Sequence, residues 1–328
     1  MLQSSWVKMG AVYEGLKIAG VIPCHNEEVS IGRVIDGLRS AVPGIEVYVY
    51  DNLSSDRTPE VAQAHGAIVR TEMQKGKGNV VRRAFADIDA DVYLMIDGDD
   101  TYEAASAPLL IETLLQGPFD QVVGCRQDDH EASAHRPGHA RGNAAFNTVV
   151  SALFGVPVED MFSGYRAFSK RFVKSFPALS REFEIEAELT IHSAALRVPQ
   201  TEVPVGFKDR ADGSESKLRT FRDGFRILGM ILKMFAHERP TAFYGLGCGI
   251  LVALSLVLGL PVVGEYAQTG FVERLPTAVL ASSLALLAAL AGAVGLIQSG
   301  ILRQRRESMR LSYLRYPAVA RGPAGTEL

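Results

Sequence analysis

The sequence predicts an α/β domain on a mainly parallel sheet, followed by an amphipathic helix and two membrane-spanning helices. Three observations carry that expectation. Short apolar runs alternate with helical stretches through the first 125 residues, the pattern of strands joined by crossover helices. Two later runs, 241–264 and 275–302, contain no charged residue. A helix needs about 20 apolar residues to cross a bilayer core, and both runs are long enough. Finally, arginines cluster after the second run, at Arg303, Arg305, Arg306 and Arg310.

Taken in order, "KIAGVIP" (17–23) reads as the first strand and 29–39 as the first helix. "IEVYVYD" (45–51) is a strand, 57–65 a helix and "AIVR" (67–70) a short strand. Residues 79–88 are helical, "DVYLMID" (91–97) is the next strand, 103–115 the next helix, and "DQVVG" (120–124) a further strand. A polar stretch at 126–142 precedes helices at about 139–154 and 182–196 and a strand at "TEVPVGF". Residues 218–240 mix aromatic and aliphatic positions with Arg219, Arg222, Arg226 and Lys233, suiting a helix in the headgroup layer against membrane lipid. The expected divisions are therefore 1–217, 218–240, a transmembrane hairpin over 241–302 (spans at about 242–264 and 276–302) and a basic tail, 303–328.

Lys233 and Arg239 flank the first span and four arginines come after the second, so the positive-inside rule places both flanks in the cytosol. Residues 1 to about 240 show no apolar signal-like core at their start and are expected to remain cytosolic, on a multi-pass protein of the cytoplasmic (inner) membrane. Gly, Ala and Ser in "ASSLALLAALAGAVG" suit helix packing and a homo-oligomer formed through the membrane helices. A net charge of −3 offers no global basic field, and no nucleic-acid partner is expected. Cys24, Cys125 and Cys248 show no metal spacing and read as reduced structural thiols.

In open parallel sheets, ligands bind beyond the carboxyl ends of the strands, which makes Asp51 and Asp97 candidate ligands. The first strand is not followed by G-x-G-x-x-G, which argues against a dinucleotide oxidoreductase, and no G-x-x-x-x-G-K-[ST] occurs. The first two strands run instead into "PCHNEE" and "DNLSSDRT".

Together, "IPCHNEE" (22–28), "YDNLSSDRT" (50–58), "KGKGNVVRRAF" (75–85), "DGDD" (97–100), "GCR" (124–126), "MFSGYRAFSK" (161–170) and "DGSESKL" (212–218) resemble the family-2 glycosyltransferases of GT-A fold. The likeness is to the polyprenyl-phosphate branch typified by dolichyl-phosphate mannose synthase, and it covers residues 17 to about 220. The second motif departs from the family's Asp-Asp-Gly-Ser: Asn52 loses a charge, and Leu53 in place of Gly suggests a less strained turn.

The resemblance implies a nucleoside diphosphate sugar as donor, with base and ribose near Pro23, Asn26, Glu27 and Asp51. Glu28 is equally suited to binding or to capping a helix. The diphosphate leaving group gains charge as the glycosidic bond breaks, and Mg²⁺ or Mn²⁺ on Asp97 and Asp99 would neutralise it. Asp100 reads as a helix cap or a supporting group. Gly78 would permit close backbone approach, and Lys77 (or Lys75) would offset phosphate charge. The implied acceptor is polyprenyl (undecaprenyl or dolichyl) phosphate, already a nucleophile, needing charge neutralisation and in-line placement more than a base. Arg126, Ser163 and Arg166 are the implied acceptor-phosphate contacts, with Arg210 and Lys217 on a closing flap; Asp99, Arg126, Ser163 and Arg166 form the expected catalytic set.

"EFEIEAELTIH" (182–192) reads most simply as a solvated acidic face, with Glu184 or Glu186 available to orient sugar or a basic group. The expected activity is inverting transfer of a hexose-type sugar from a UDP or GDP donor to polyprenyl phosphate at the cytosolic membrane face, for envelope glycan or lipopolysaccharide modification. The rivals are transfer to a carbohydrate or glycolipid hydroxyl, needing Glu184 or Glu186 as base, and a non-catalytic sugar-nucleotide-binding scaffold.

Overall fold

The computed structural model describes residues 13, 15–128, 159–181, 184–208 and 235–319. The expected helix at 139–154, Arg210, Lys217 and residues 218–234 of the amphipathic segment lie outside the described residues. In chain order the α/β elements are β1 (Ile18–Cys24), α1 (Ile31–Ala41), β2 (Glu46–Asp51), α2 (Thr58–Ala64), β3 (Ile68–Thr71), α3 (Lys77–Asp87) and β4 (Val92–Met95). They continue with α4 (Ala107–Gln116), β5 (Gln121–Asp128), β6 (Arg166–Ser169), α5 (Lys170–Ser175), α6 (Ile185–Leu196) and β7 (Gln200–Phe207).

The seven strands form one sheet in the order β3-β2-β1-β4-β6-β5-β7. Every pairing is parallel except the two made by β6, which runs antiparallel between β4 and β5. This strand carries no signal in the sequence, because "RAFS" is too short to show alternation and begins on a charged residue.

Period-2 alternation sorts the strand residues onto two cores. Ile18 and Ile22 of β1, Val92 and Leu94 of β4, and Ile96 just beyond it pack with Ile31, Ile35 and Leu38 of α1 and Leu110 and Leu114 of α4. Ala19, Val21, Tyr93 and Met95 face the other way, toward Val81 and Phe85 of α3, Phe172 of α5 and Leu189 of α6. Each such aliphatic or Phe side chain contributes about 1.5–3 kcal/mol when fully buried, so a one-residue slip of β1 or β4 would mismatch both layers at once.

The chain divides into two compact units, Met1–Leu218 with Met309–Leu328, and Arg219–Ser308. Two long helices, α7 (Pro240–Thr269) and α8 (Leu275–Leu314), are each long and apolar enough to cross a membrane. Leu246, Leu260, Leu286, Leu290 and Leu296 are all more than half exposed, an arrangement suited to lipid rather than water. The two helices meet through small residues: Ser255 Oγ donates to the Ala281 carbonyl at 2.8 Å, and a Cβ at Gly259 would touch the Ala281 methyl. Gly270, with φ +72°, ends α7 in the left-handed conformation that favours glycine. Helix α8 runs on past residue 302 through "RQRRESMRLSYL", which holds no Gly or Pro.

Residues 309–319 belong with the α/β unit. Tyr313 is buried there, donating its hydroxyl to Asp120 Oδ2 at 2.7 Å and lying under the Arg171 guanidinium at 4.7 Å. Asp120 also accepts from Ser169 Oγ and from Arg171, so one buried carboxylate ties the start of β5 to the end of β6 and the C-terminal segment.

Candidate active site

The chain leaves β1 for β2 and β3 on one side and returns to β4 on the other, so the sheet order reverses at β1 and β4. A crevice outside the carboxyl ends of the strands forms at such a switch point. Cys24, the last residue of β1, is in register with Asp51, the last of β2. The Ile96 amide donates to the Val21 carbonyl at 3.1 Å, keeping the chain beside β1 as it enters Asp97-Gly98-Asp99-Asp100.

The Cys24 thiol senses the charge gathered at this edge. The buried Cys24 thiol is pushed well above its ordinary pKa, first by desolvation and then by Glu27, Asp51, Asp97 and Asp99. Four carboxylates, Asp51 at the end of β2 and three from the loops after β1 and β4, therefore act on one point at the carboxyl edge of the sheet. The thiol stays protonated, leaving hard carboxylate oxygens as the donors suited to a divalent cation, a set that fits Mg²⁺ or Mn²⁺.

Lys77, the first residue of α3, reaches into this group. Its ammonium lies 2.5 Å from Asp97 Oδ1 and 2.5 Å from Glu186 Oε1. Burial alone would lower its pKa, but Asp97 and then Glu186 hold it well above the usual lysine value. Glu186 is pushed upward by its own burial, opposed by Lys77, with Asp97 adding to the rise. Gly164 forms the wall behind Asp97: a Cβ there would fall on Asp97 Oδ2 and only 2.7 Å from its Cγ. Gly164 is not legible as a site residue in the sequence, since a requirement for close approach across 67 positions leaves no local signal.

The crowding at Asp97–Asp100 resolves into separate fates. Asp99 is buried, and its Oδ1 accepts from the Thr101 amide at 3.2 Å and hydroxyl at 2.7 Å. Asp100 adopts a left-handed backbone, φ +59°, and turns away to pair with Arg33 at 2.9 Å and Lys208 at 3.0 Å. Lys208 also donates its amide to the Thr101 carbonyl, so this turn is laced to the end of β7.

Several expected contacts hold the protein itself. Asn26 has φ +56°, and its Oδ1 accepts from the Ser55 amide at 2.7 Å. Asn52 donates to the Glu72 and Gln74 carbonyls and accepts from the Gly76 amide, tying the loop after β2 to the loop before α3. Leu53 corrects the expectation of a relaxed turn: its φ of +60° keeps the left-handed geometry that a glycine would adopt at less cost. Gly78 admits backbone rather than ligand, because a Cβ there would stand 2.7 Å from the Ser180 carbonyl carbon. Pro23 is half-buried within β1, and Glu27 accepts from Ser30 Oγ at 3.2 Å. Glu28 accepts from the amide of Arg57, the residue just before α2. Asp51 accepts from the Ser54 amide at 3.3 Å.

On the acceptor side, the structure separates the three expected residues. Arg126 is held bidentately by Asp160, both bonds at 2.7 Å, and stacks over Phe207 at 5.4 Å. Asp160 is in turn fixed by Glu202, which accepts the Glu159 and Asp160 amides. Ser163 and Arg166 correct the sequence expectation: both are fully buried. Ser163 Oγ donates to the Gly124 carbonyl. Arg166 donates to the Ser163 and Met161 carbonyls and to Thr190 Oγ1. They brace the 161–164 loop rather than line the crevice. The acidic helix is corrected too: Glu186 is buried, Glu188 accepts the Leu179 and Ser180 amides, and Glu184 is exposed.

A mainly parallel sheet with carboxylates gathered at its switch point has the architecture of an α/β enzyme that binds its ligand beyond the carboxyl ends of the strands. The glycosyl transferase family 2 profile matches residues 21–176. Protein RfbJ of Shigella flexneri is 49% identical over 128 residues, covering 39% of this chain and 99% of that protein. A dolichyl-phosphate hexose transferase of Haloferax volcanii is 32% identical, covering 68% of this chain and 95% of its own length. Among solved structures, glucosyl-3-phosphoglycerate synthase from Mycobacterium tuberculosis, in complex with Mn²⁺, UDP and phosphoglyceric acid, shares the fold with a TM-score of 0.57. That match has 24% identity and covers 70% of this chain and 81% of the other. The chain belongs to glycosyl transferase family 2, and its α/β unit has the GT-A fold.

Proposed function

We propose that this protein transfers a hexose-type sugar, with inversion, from a UDP or GDP sugar to polyprenyl phosphate at the cytosolic face of the cytoplasmic membrane. The observation that carries this reading is the convergence of Glu27, Asp51, Asp97 and Asp99 at the sheet's switch point. A divalent cation held by Asp97 and Asp99 would supply charge neutralisation for the departing diphosphate. Asp51, with Pro23, Asn26 and Glu27, would meet base and ribose, and Lys77 would face the phosphates.

Support for a phosphate acceptor comes from three sides. The relative named dolichyl-phosphate hexose transferase matches over 222 residues of this chain, which also carries two helices fit for a membrane. Of the two carboxylates that a hydroxyl acceptor would call on as base, Glu184 is exposed, and Glu186 is buried and engaged by Lys77. Arg126, oriented by Asp160, is the cation proposed to meet the lipid phosphate, with Arg210 and Lys217, outside the described residues, proposed as further cations for it. Single displacement by that phosphate inverts the anomeric centre, and the product serves envelope glycan or lipopolysaccharide modification.

The test is a donor panel with the full chain in detergent, a short polyprenyl phosphate and Mn²⁺ or Mg²⁺. A metal-dependent sugar–lipid product, lost in Asp99→Ala, is expected. Equal transfer to a polyprenol without phosphate would refute the acceptor, and a metal-independent reaction would refute the role of Asp97 and Asp99.

A further inference from the structure

Lys77 sits where a solvated lysine would not. Its side chain is 10% exposed, Asp97 in front of it is 27% exposed and Glu186 behind it 5%. The two carboxylates come from different parts of the fold, one from the loop after β4 and one from α6. A completed ion pair needs only one of them. Oε2 of Glu186 is buried and has no hydrogen-bond partner among the described residues, so this carboxylate is not placed for a saturated structural bridge.

We propose that Lys77 is the resident counter-cation of Asp97, and that Glu186 is the positioning residue that draws it back and thereby sets how tightly the crevice takes up a divalent cation. The inference rests on the reading of Asp97 and Asp99 as the metal-holding pair. An ammonium on Asp97 Oδ1 competes with any other cation for the same carboxylate. Glu186 shares that ammonium, weakens its hold on Asp97 and adds a negative charge nearby. When a divalent cation takes Asp97, Lys77 keeps its bond to Glu186 and does not become an unpaired buried charge. Neutralising Glu186 removes both effects, so metal uptake weakens. Removing the Lys77 charge eliminates the competitor, so metal uptake tightens.

The opposite signs make the test specific. Mn²⁺ is titrated into the full-length protein in detergent micelles without nucleotide, and free Mn²⁺ is followed by its paramagnetic resonance signal. Glu186→Gln is expected to bind about tenfold more weakly and Lys77→Met about tenfold more tightly, the scale of one charge gained or lost near the cation. The double variant, whose net charge is unchanged, is expected near wild type. A purely structural role for the cluster would weaken every variant or none. Wild-type affinity in Glu186→Gln, or weaker binding in Lys77→Met, overturns the proposal. Should Lys77→Met fail to fold, the double variant must bind more tightly than Glu186→Gln alone, or the proposal falls. Asp99→Ala separates the two readings. If wild type takes up no Mn²⁺, or Asp99→Ala leaves uptake intact, the metal pair and this inference fall together. Normal uptake that Glu186→Gln does not change overturns this inference alone.

Discussion

Gly164→Ala is the sharpest perturbation of the crevice, because it moves one carboxylate without changing any charge. A Cβ at position 164 would stand 2.7 Å from Asp97 Cγ and 2.8 Å from its Oδ1. Carbon atoms in contact sit at about 3.5–4.0 Å, so the carboxylate must move by roughly 1 Å. The backbone at Gly164 is poorly placed to yield instead. Its amide donates to Tyr102 Oη at 3.0 Å, and its neighbours are pinned by Ser163 Oγ, which donates to Gly124 and accepts from the Tyr165 amide. Asp97 therefore rotates, parting from Lys77 and from the metal position proposed for it. A 1 Å misplacement of a reacting group costs on the order of 10²-fold in rate, or about 2.7 kcal/mol of barrier.

The assay is initial-rate synthesis of the sugar–lipid across a Mn²⁺ titration, beside a thermal melt of the same preparation. Gly164→Ala should lose about 10²-fold in kcat/KM and need more Mn²⁺ for half-maximal rate, with a melting curve close to wild type. Full activity at wild-type Mn²⁺ requirement would refute the reasoning, since Asp97 would then tolerate displacement from its wall.

Three further expectations rest on particular contacts. Tyr313→Phe removes a hydrogen bond to the buried Asp120 carboxylate and should lower the stability of the α/β unit by about 1.5–3 kcal/mol, read as a lower denaturation midpoint. An unchanged midpoint would show that residues 309–319 do not brace the unit. Cys125, pushed up to about 12 by burial and then by Asp160, Glu202 and Glu159, and Cys24, also pushed upward, should resist iodoacetamide at pH 8 in the folded protein. Labelling of either at the rate seen in urea would contradict that. Asp160→Asn weakens the bidentate hold on Arg126 and should raise KM for the proposed lipid-phosphate acceptor several-fold while leaving donor KM unchanged. A change confined to donor KM would move Arg126 to the other half of the site.

The features legible in the sequence are those that local physics decides. Alternating apolar residues placed β1, β2 and β4 within a residue or two, so Asp51 and Asp97 fall at the carboxyl ends of their strands, as the sequence predicts before any likeness is invoked. The features that were not legible depend on partners distant in the chain. The inward turn of Glu186 is decided by Lys77, more than 100 positions away, so a run of alternating acids looked like a solvated face. Arg166 belongs to a motif that resembles a phosphate reader. In the fold it lies in β6 between β4 and β5, where it is fully buried and its donors are taken by Ser163, Met161 and Thr190.

The acidic turn after β4 shows how these two kinds of information combine. Three carboxylates in four residues repel in any extended or helical arrangement, and no neighbouring residue in the sequence offsets them. In the fold, the left-handed backbone at Asp100 swings the third acid out to Arg33 and Lys208, at a backbone cost of roughly 1–2 kcal/mol for a non-glycine residue. Thr101 takes one oxygen of Asp99, and Lys77 holds Asp97. Each acid thus has its own partner, and the strain at Asp100 is what separates the third from the other two. Replacing Asp100 by Gly would ease the strain and release Arg33 and Lys208, loosening the tie between this turn and β7. The turn's shape therefore rests on the acid that the proposed chemistry does not use.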